Sequence, residues 1–160
     1  MGDLTERLQE TGALAFEELA FVYTDREVPA ERRAIPATAE VRVGFRGPMS
    51  GELLVRVHGE LLATLATNML GEVEPPADRL QRDALGEIAN VICGNLLPAV
   101  GGASNVFRLD APAVRDLRRE ASSAPSGRPL ARAELALGDD GWAELELYVE
   151  PPSADGGGER

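Results

Sequence analysis

Histidine and cysteine occur once each in the 160 residues, and aromatic side chains make up only 4%. A lone cysteine cannot close an internal disulfide, which points to a reducing compartment. A lone histidine, His58, gives little material for a metal centre. Basic residues are outnumbered, 16 Lys+Arg against 27 Asp+Glu, for a net charge of −11 and a pI near 4.6. That excludes the basic footprint of a nucleic-acid binder. No apolar run approaches the length of a membrane span. The start, Met-Gly-Asp-Leu-Thr-Glu, lacks the basic region and apolar stretch of a secretion signal. No repeat of solenoid period is present. These absences lead to the expectation of a soluble cytoplasmic protein that touches neither nucleic acid nor membrane.

What is present is a chain 44% hydrophobic, built mainly from Leu, Val and Ala. Its length suits a single domain over residues 1–150, with a disordered, Gly- and Pro-containing tail over 151–160. Residues 4–23 read as an amphipathic helix with Leu8, Ala15, Leu19 and Val22 inward. Residues 24–36 read as a loop carrying Pro29 and Pro36. The period then changes to two: Ala39, Val41, Val43 and Phe45 alternate with polar or small residues, and Leu53, Val55 and Val57 do the same beyond a Gly-Pro turn. This is a hairpin with one wet face. A short helix over 60–70 stops at Gly71. A long helix starts near Asp78 and ends about Leu97, before Pro98 and Gly101-Gly102. Residues 106–117 read as strand or loop, and 118–128 as loop. Residues 131–137 and 142–149 form a second hairpin around Gly138-Asp-Asp-Gly141. The pattern is α+β, a sheet covered on one face by the two paired middle helices.

The long helix carries the most unusual pattern, Asp83-Ala-Leu-Gly-Glu-Ile-Ala-Asn-Val-Ile-Cys-Gly-Asn95. At about 100° per residue, Asp83, Glu87, Asn90 and Gly94 share one stripe. Leu85, Ile88, Ala89, Ile92 and Leu96 form the opposite, apolar side. Taken alone, such a stripe is most often an ordinary wet helix face. Yet asparagine is a poor helix-interior residue, and Gly86 and Gly94 each cost about 1 kcal/mol relative to alanine. A helix that accepts these residues beside two polar groups is shaped for close approach by something else.

The remaining candidates carry little chemistry. His58 reads as a strand-edge residue and Cys93 as a buried thiol with no base to activate it. Gly101-Gly102 is a helix stop and Gly156–Gly158 is tail, so no phosphate loop is present. Arg32-Arg33 and Arg118-Arg119 read as solvated surface.

The segment Gly86-Glu-Ile-Ala-Asn-Val-Ile-Cys-Gly-Asn95 resembles the signature helix of the CheX/CheC/FliY family, the chemotaxis phosphatases. That pattern is an acidic residue or Ser, three positions, Glu, two positions, Asn, and a proline some twenty residues on. Asp83, Glu87, Asn90 and Pro112 can fill the four places. Leu65-Ala-Thr-Asn-Met-Leu-Gly71 is similar too, and Phe16–Phe21 more weakly. One Glu-x-x-Asn helix occurs here, whereas CheC and FliY typically carry two, so CheX is the nearer relative. The resemblance implies a CheX/CheC-like α+β fold, antiparallel hairpins packed with a pair of long helices, and a homodimer joined through the sheets. The implied activity is hydrolysis of the aspartyl phosphate on a CheY-like response regulator.

In that reading Glu87 and Asn90 are catalytic. An uncharged amide can sit beside an anionic phosphoryl group and hold a water in line with it. In the family the Glu87 counterpart pairs with the receiver's active-site lysine. Asp83 would be a partner contact at the rim, and Gly94 would let the partner's loops approach. The receiver would bring Mg2+, and this chain would bind no metal. The alternatives are a receiver-binding adaptor without turnover and a structural component of a chemotaxis or flagellar assembly. The phosphatase reading requires Asn90 to be reachable from outside, whereas a structural component would contact its partners through sheet edges.

Overall fold

The computed structural model describes residues 2–102 and 104–150. The tail expected over 151–160 lies outside the described residues. Among the described residues seven strands form one antiparallel sheet in the order β1-β6-β7-β3-β2, with β4 and β5 paired end to end along the far edge of β2. The strands are β1 (Thr24–Asp25), β2 (Ala37–Arg46), β3 (Gly51–His58), β4 (Arg108–Leu109), β5 (Ala113–Asp116), β6 (Ala131–Leu137) and β7 (Gly141–Val149). Three α-helices, α1 (Gly2–Ala20), α2 (Leu62–Leu70) and α3 (Asp78–Gly101), accompany them, with a 3-10 turn at Ala30–Ala34.

The period-two alternation of β2 and β3 produces the sheet's two faces. Val41, Val43, Phe45, Leu53, Val55 and Val57 point one way and are almost fully buried, joined there by Leu135, Ala143, Leu145 and Leu147. Leu85, Ile88, Ile92 and Leu96 of α3 and Leu8 and Phe16 of α1 close this core. Hence α1 covers the β6 side and α3 covers β2 and β3. This corrects the expectation that the two middle helices cover the sheet. The first helix takes that place, and α2 packs against α3 and α1. Gly12 allows it, because a Cβ there would stand 2.7 Å from Leu145 Cδ2. The α+β class and the pair of long helices are as expected.

The opposite face is charged and interlocked. Glu40, Arg56 and Glu144 are direct cross-strand neighbours, and Arg56 reaches both acids, at 3.3 and 3.0 Å. Burial pushes the Glu40 carboxyl up, but hydrogen bonds from Ser122, Ser123 and Arg56 outweigh it and hold it below the usual carboxylate range. His58, read from sequence as a strand-edge residue, lies on an interior strand. Its ring stacks on Trp142 at 3.9 Å, and its Nε2 lies 2.8 Å from Glu144 Oε1.

Other boundaries move for local reasons. Helix α2 ends where Gly71 adopts φ 69°, the left-handed stop a glycine accepts freely. Helix α3 runs through Pro98 to Gly101, so the proline does not end it. The 24–36 loop contains β1 and the 3-10 turn. The expected lack of a membrane-length apolar run does not hold for α3. It contains an 18-residue window of mean hydropathy 1.3, long and apolar enough by length and composition, though 50% of it is buried. That burial is the behaviour of a core helix.

Candidate functional site

Helix α3 lies over β2 and β3 with β4 and β5 beside it, so one of its sides turns outward past the sheet's far edge. The apolar residues Leu85, Ile88, Ala89, Ile92 and Leu96 are all buried. Their burial fixes the rotation of the helix and delivers the stripe to the surface. Asp83, Glu87 and Gly94 are exposed, and Asn90 is half-buried. The four residues singled out from the sequence therefore do share one accessible face.

Their surroundings differ. Asp83 is held by Arg79 one turn earlier, at 3.4 Å. Glu87 has no ion-pair or hydrogen-bond partner among the described residues and is free to meet a cation. Asn90 Oδ1 is buried and has no hydrogen-bond partner among the described residues. Such an orphaned polar atom costs roughly 1–3 kcal/mol. A half-turn of the amide exchanges its oxygen and nitrogen, so the group can offer either end. At Gly94 an added Cβ would meet nothing within 4 Å. Pro98, four residues on, has no N–H to give the Gly94 carbonyl, so the helix's own ladder leaves that acceptor without its usual donor.

Of the wall of the site only Pro112 figures in the sequence motif, and Phe107 and Leu109 do not. The segment from Asn105 to Pro112 runs beside the same stripe. Pro112 packs onto Gly86, one turn before Asn90, so this mid-helix glycine makes room for the chain's own proline and not for a partner. Phe107 packs onto Gly101, where a Cβ would stand 2.5 Å from its ring. Between these contacts Phe107 and Leu109 join Gly94, Leu97, Pro98 and Asn105 around an open groove of about 190 Å³. Gly86 in mid-helix and Gly101 at the last position of α3 are the signal for this segment. Among the described residues no three His, Cys, Asp or Glu side chains converge as metal ligands would. Cys93 is on the buried side, and desolvation pushes its thiol up to about 12, which leaves it inert.

Residues 40–134, which span α3 and Pro112, match the family described as chemotaxis phosphatase CheX. The chain belongs to the CheX family. Solved members share its architecture at low identity. CheX from Vibrio vulnificus superposes with a TM-score of 0.70 at 17% identity, covering 92% of this chain and 97% of its own. CheX from Desulfovibrio desulfuricans gives 0.72 at 16%, covering 92% and 99%. A chain of the CheX–CheY–BeF3–Mg2+ complex from Borrelia burgdorferi gives 0.65 at 16%, covering 91% and 97%. No curated protein sequence matches the chain. At these identities the structures establish the CheX fold of this chain, and the roles of individual side chains rest on the site's own geometry.

Proposed function

We propose that this chain is a phosphatase of response-regulator receiver domains, hydrolysing the aspartyl phosphate of a CheY-like partner with a water positioned by Asn90. The observation that carries this is the Asn90 amide. It stands mid-helix with an unpartnered buried oxygen, one turn from the free acid Glu87 and one turn from the open backbone of Gly94. Membership of a family described as chemotaxis phosphatases supports the activity. The Borrelia burgdorferi complex, which pairs a CheX with CheY, supports the partner.

The residue types suit the reaction. The water oxygen attacks phosphorus while the P–O bond to the aspartyl carboxylate breaks, leaving a free carboxylate and inorganic phosphate that keeps the water's protons. Such a transfer needs positioning and charge balance more than covalent help. Asn90 is neutral and is not repelled by the phosphoryl oxygens, as a carboxylate would be. Its amide can accept a hydrogen bond from the attacking water. Glu87 is placed to bind the lysine ammonium of a receiver active site, which fixes the partner's register. Asp83 is the rim contact, and Gly94 leaves room for the partner's loops. Mg2+, which neutralises the departing charge, belongs with the receiver: the stripe supplies only two carboxylates, and Asp83 is already engaged by Arg79.

The test is the lifetime of phosphorylated receivers from the same genome, with and without this chain. Asn90→Ala should bind the receiver and fail to shorten that lifetime, while Glu87→Ala should weaken both. A cognate receiver that binds tightly yet decays at its own rate in the presence of wild type would point to an adaptor.

A further inference from the structure

Helix α3 contains three glycines, and the chain's own packing accounts for two of them. Gly86 makes room for Pro112, and Gly101 makes room for Phe107. Gly94 serves no such contact, because an added Cβ would meet nothing within 4 Å. Nor is its backbone left-handed. A glycine there costs the helix roughly 1 kcal/mol against alanine, and nothing among the described residues offsets it. The Gly94 carbonyl also lacks the helical donor that Pro98 cannot supply. Bare backbone and an idle acceptor therefore meet at one place, on the rim of a groove.

The groove is built on the helix side of the sheet. Leu109 stands opposite Phe45, whose ring is buried in the core beneath α3, so Leu109 turns the same way. Phe107 packs edge-on against Phe45 at 5.8 Å. With Leu97 and Pro98 these side chains make apolar walls, and Asn105 is the one polar side chain in the lining. Its amide already donates to the Gly101 carbonyl. The volume, about 190 Å³, falls below the roughly 300–1,000 Å³ of small-molecule sites. It suits one side chain. Gly94 lies on the stripe itself, about 10 Å along the axis from Glu87, so a protein whose active site covers Glu87 and Asn90 covers Gly94 as well. We propose that the groove is a socket for the receiver: one apolar side chain beside the receiver's active site enters it, and an N–H or O–H donor next to that side chain bonds the Gly94 carbonyl. This inference rests on the function proposed above. Polarity agrees with it. The Glu87 carboxylate, the Asn90 oxygen and the Gly94 carbonyl form a row of acceptors, which calls for a facing surface of donors. A single anchor in a dry pocket beside such a row is the kind of contact that carries most of the affinity of an interface.

Binding titrations with the receivers of the same genome, activated with beryllofluoride and Mg2+, test this. Leu109→Asn alters the groove wall without touching the stripe. It should weaken affinity roughly tenfold, by the same factor at low and physiological salt, because a docked side chain would leave the new amide dry and unpaired. Leu109→Met should restore most of the affinity. Gly94→Leu, whose side chain enters open space, should weaken affinity at least as much while the melting temperature holds or rises. Unchanged affinity in Gly94→Leu would overturn the proposal. So would a loss in Gly94→Leu with Leu109→Asn unaffected, since the partner would then need only the bare helix. A Leu109→Asn effect that vanishes once its unfolded fraction is subtracted would overturn it too. Normal turnover by Asn90→Ala alongside a weakened Leu109→Asn would sink the catalytic assignment and leave the socket standing. No binding of the wild type to any receiver would sink both.

Discussion

Pro112 rests on the bare backbone of Gly86: a Cβ added to Gly86 would stand 3.0 Å from the proline Cγ and 3.4 Å from its Cβ. This contact ties the edge segment between β4 and β5 to α3 one turn before Asn90. Gly94, two turns further on, faces open space. The two glycines should therefore respond oppositely to added side chains. Gly86→Leu should overpack the contact and cost roughly 2 kcal/mol. Gly94→Ala should add helix propensity and stabilise by roughly 0.5–1 kcal/mol. Urea unfolding of the two variants beside wild type decides it, and a stabilised Gly86→Leu would show that Pro112 does not anchor the segment.

Phe21 stands just past α1 with φ 54° and is 71% exposed. The bonds Phe21 N to Glu17 O and Val22 N to Phe16 O close the helix end around it, in the pattern that normally uses glycine. A left-handed conformation costs an L-residue about 1 kcal/mol. Little is buried in return, so Phe21→Gly should raise stability by roughly 0.5–1 kcal/mol. A fall of that size would mean the ring makes contacts that outweigh the strain.

Much of this architecture follows from local pattern. The two hairpins and the buried side of α3 follow from repeats of two and about four residues, and the stop at Gly71 from a single glycine that accepts a left-handed conformation. What escaped is non-local. Residues 106–117 become β4 and β5 only because β2 offers a free edge. The match of α1 with the sheet depends on Gly12 lying against Leu145, far away in sequence. The stripe of Asp83, Glu87, Asn90 and Gly94 was readable because one helix carries all of it. Of its wall only Pro112 was readable, through the motif; Phe107 and Leu109 arrive from a different segment that no local pattern ties to the helix.

Glu144 accepts hydrogen bonds from His58, Arg132 and Arg56, and these hold its carboxyl at about 2 against the opposing effect of burial. A depressed folded-state value means the contribution is complete above the unfolded pKa of roughly 4.3 and fades as pH falls toward 2. At pH 7, Glu144→Gln should lose roughly 2–3 kcal/mol, because Arg56 and Arg132 each lose one of the carboxylates around them. Denaturant curves at pH 7 and near pH 2.5 check the sign. The gap between wild type and variant should shrink in acid, and an unchanged gap would contradict the assignment.

Cys93 lies 1% exposed in the core, with its thiol pushed up to about 12 by desolvation. In the unfolded chain a thiol ionises near 8.5, so stability falls as pH rises from roughly 8.5 toward that folded value. Iodoacetamide at pH 8.5 should label the native protein roughly a hundredfold more slowly than the denatured one. Rapid labelling of the native chain would mean that α3 opens locally.

The most direct test of the central claim measures stability and turnover in one variant, Asn90→Ala. The substitution removes a buried oxygen that has no partner and improves helix propensity, so stability should rise by roughly 1 kcal/mol. The same protein should no longer speed dephosphorylation of the receiver it binds. A more stable, inactive variant is the predicted outcome. A variant that turns over receiver phosphate at the wild-type rate would contradict it.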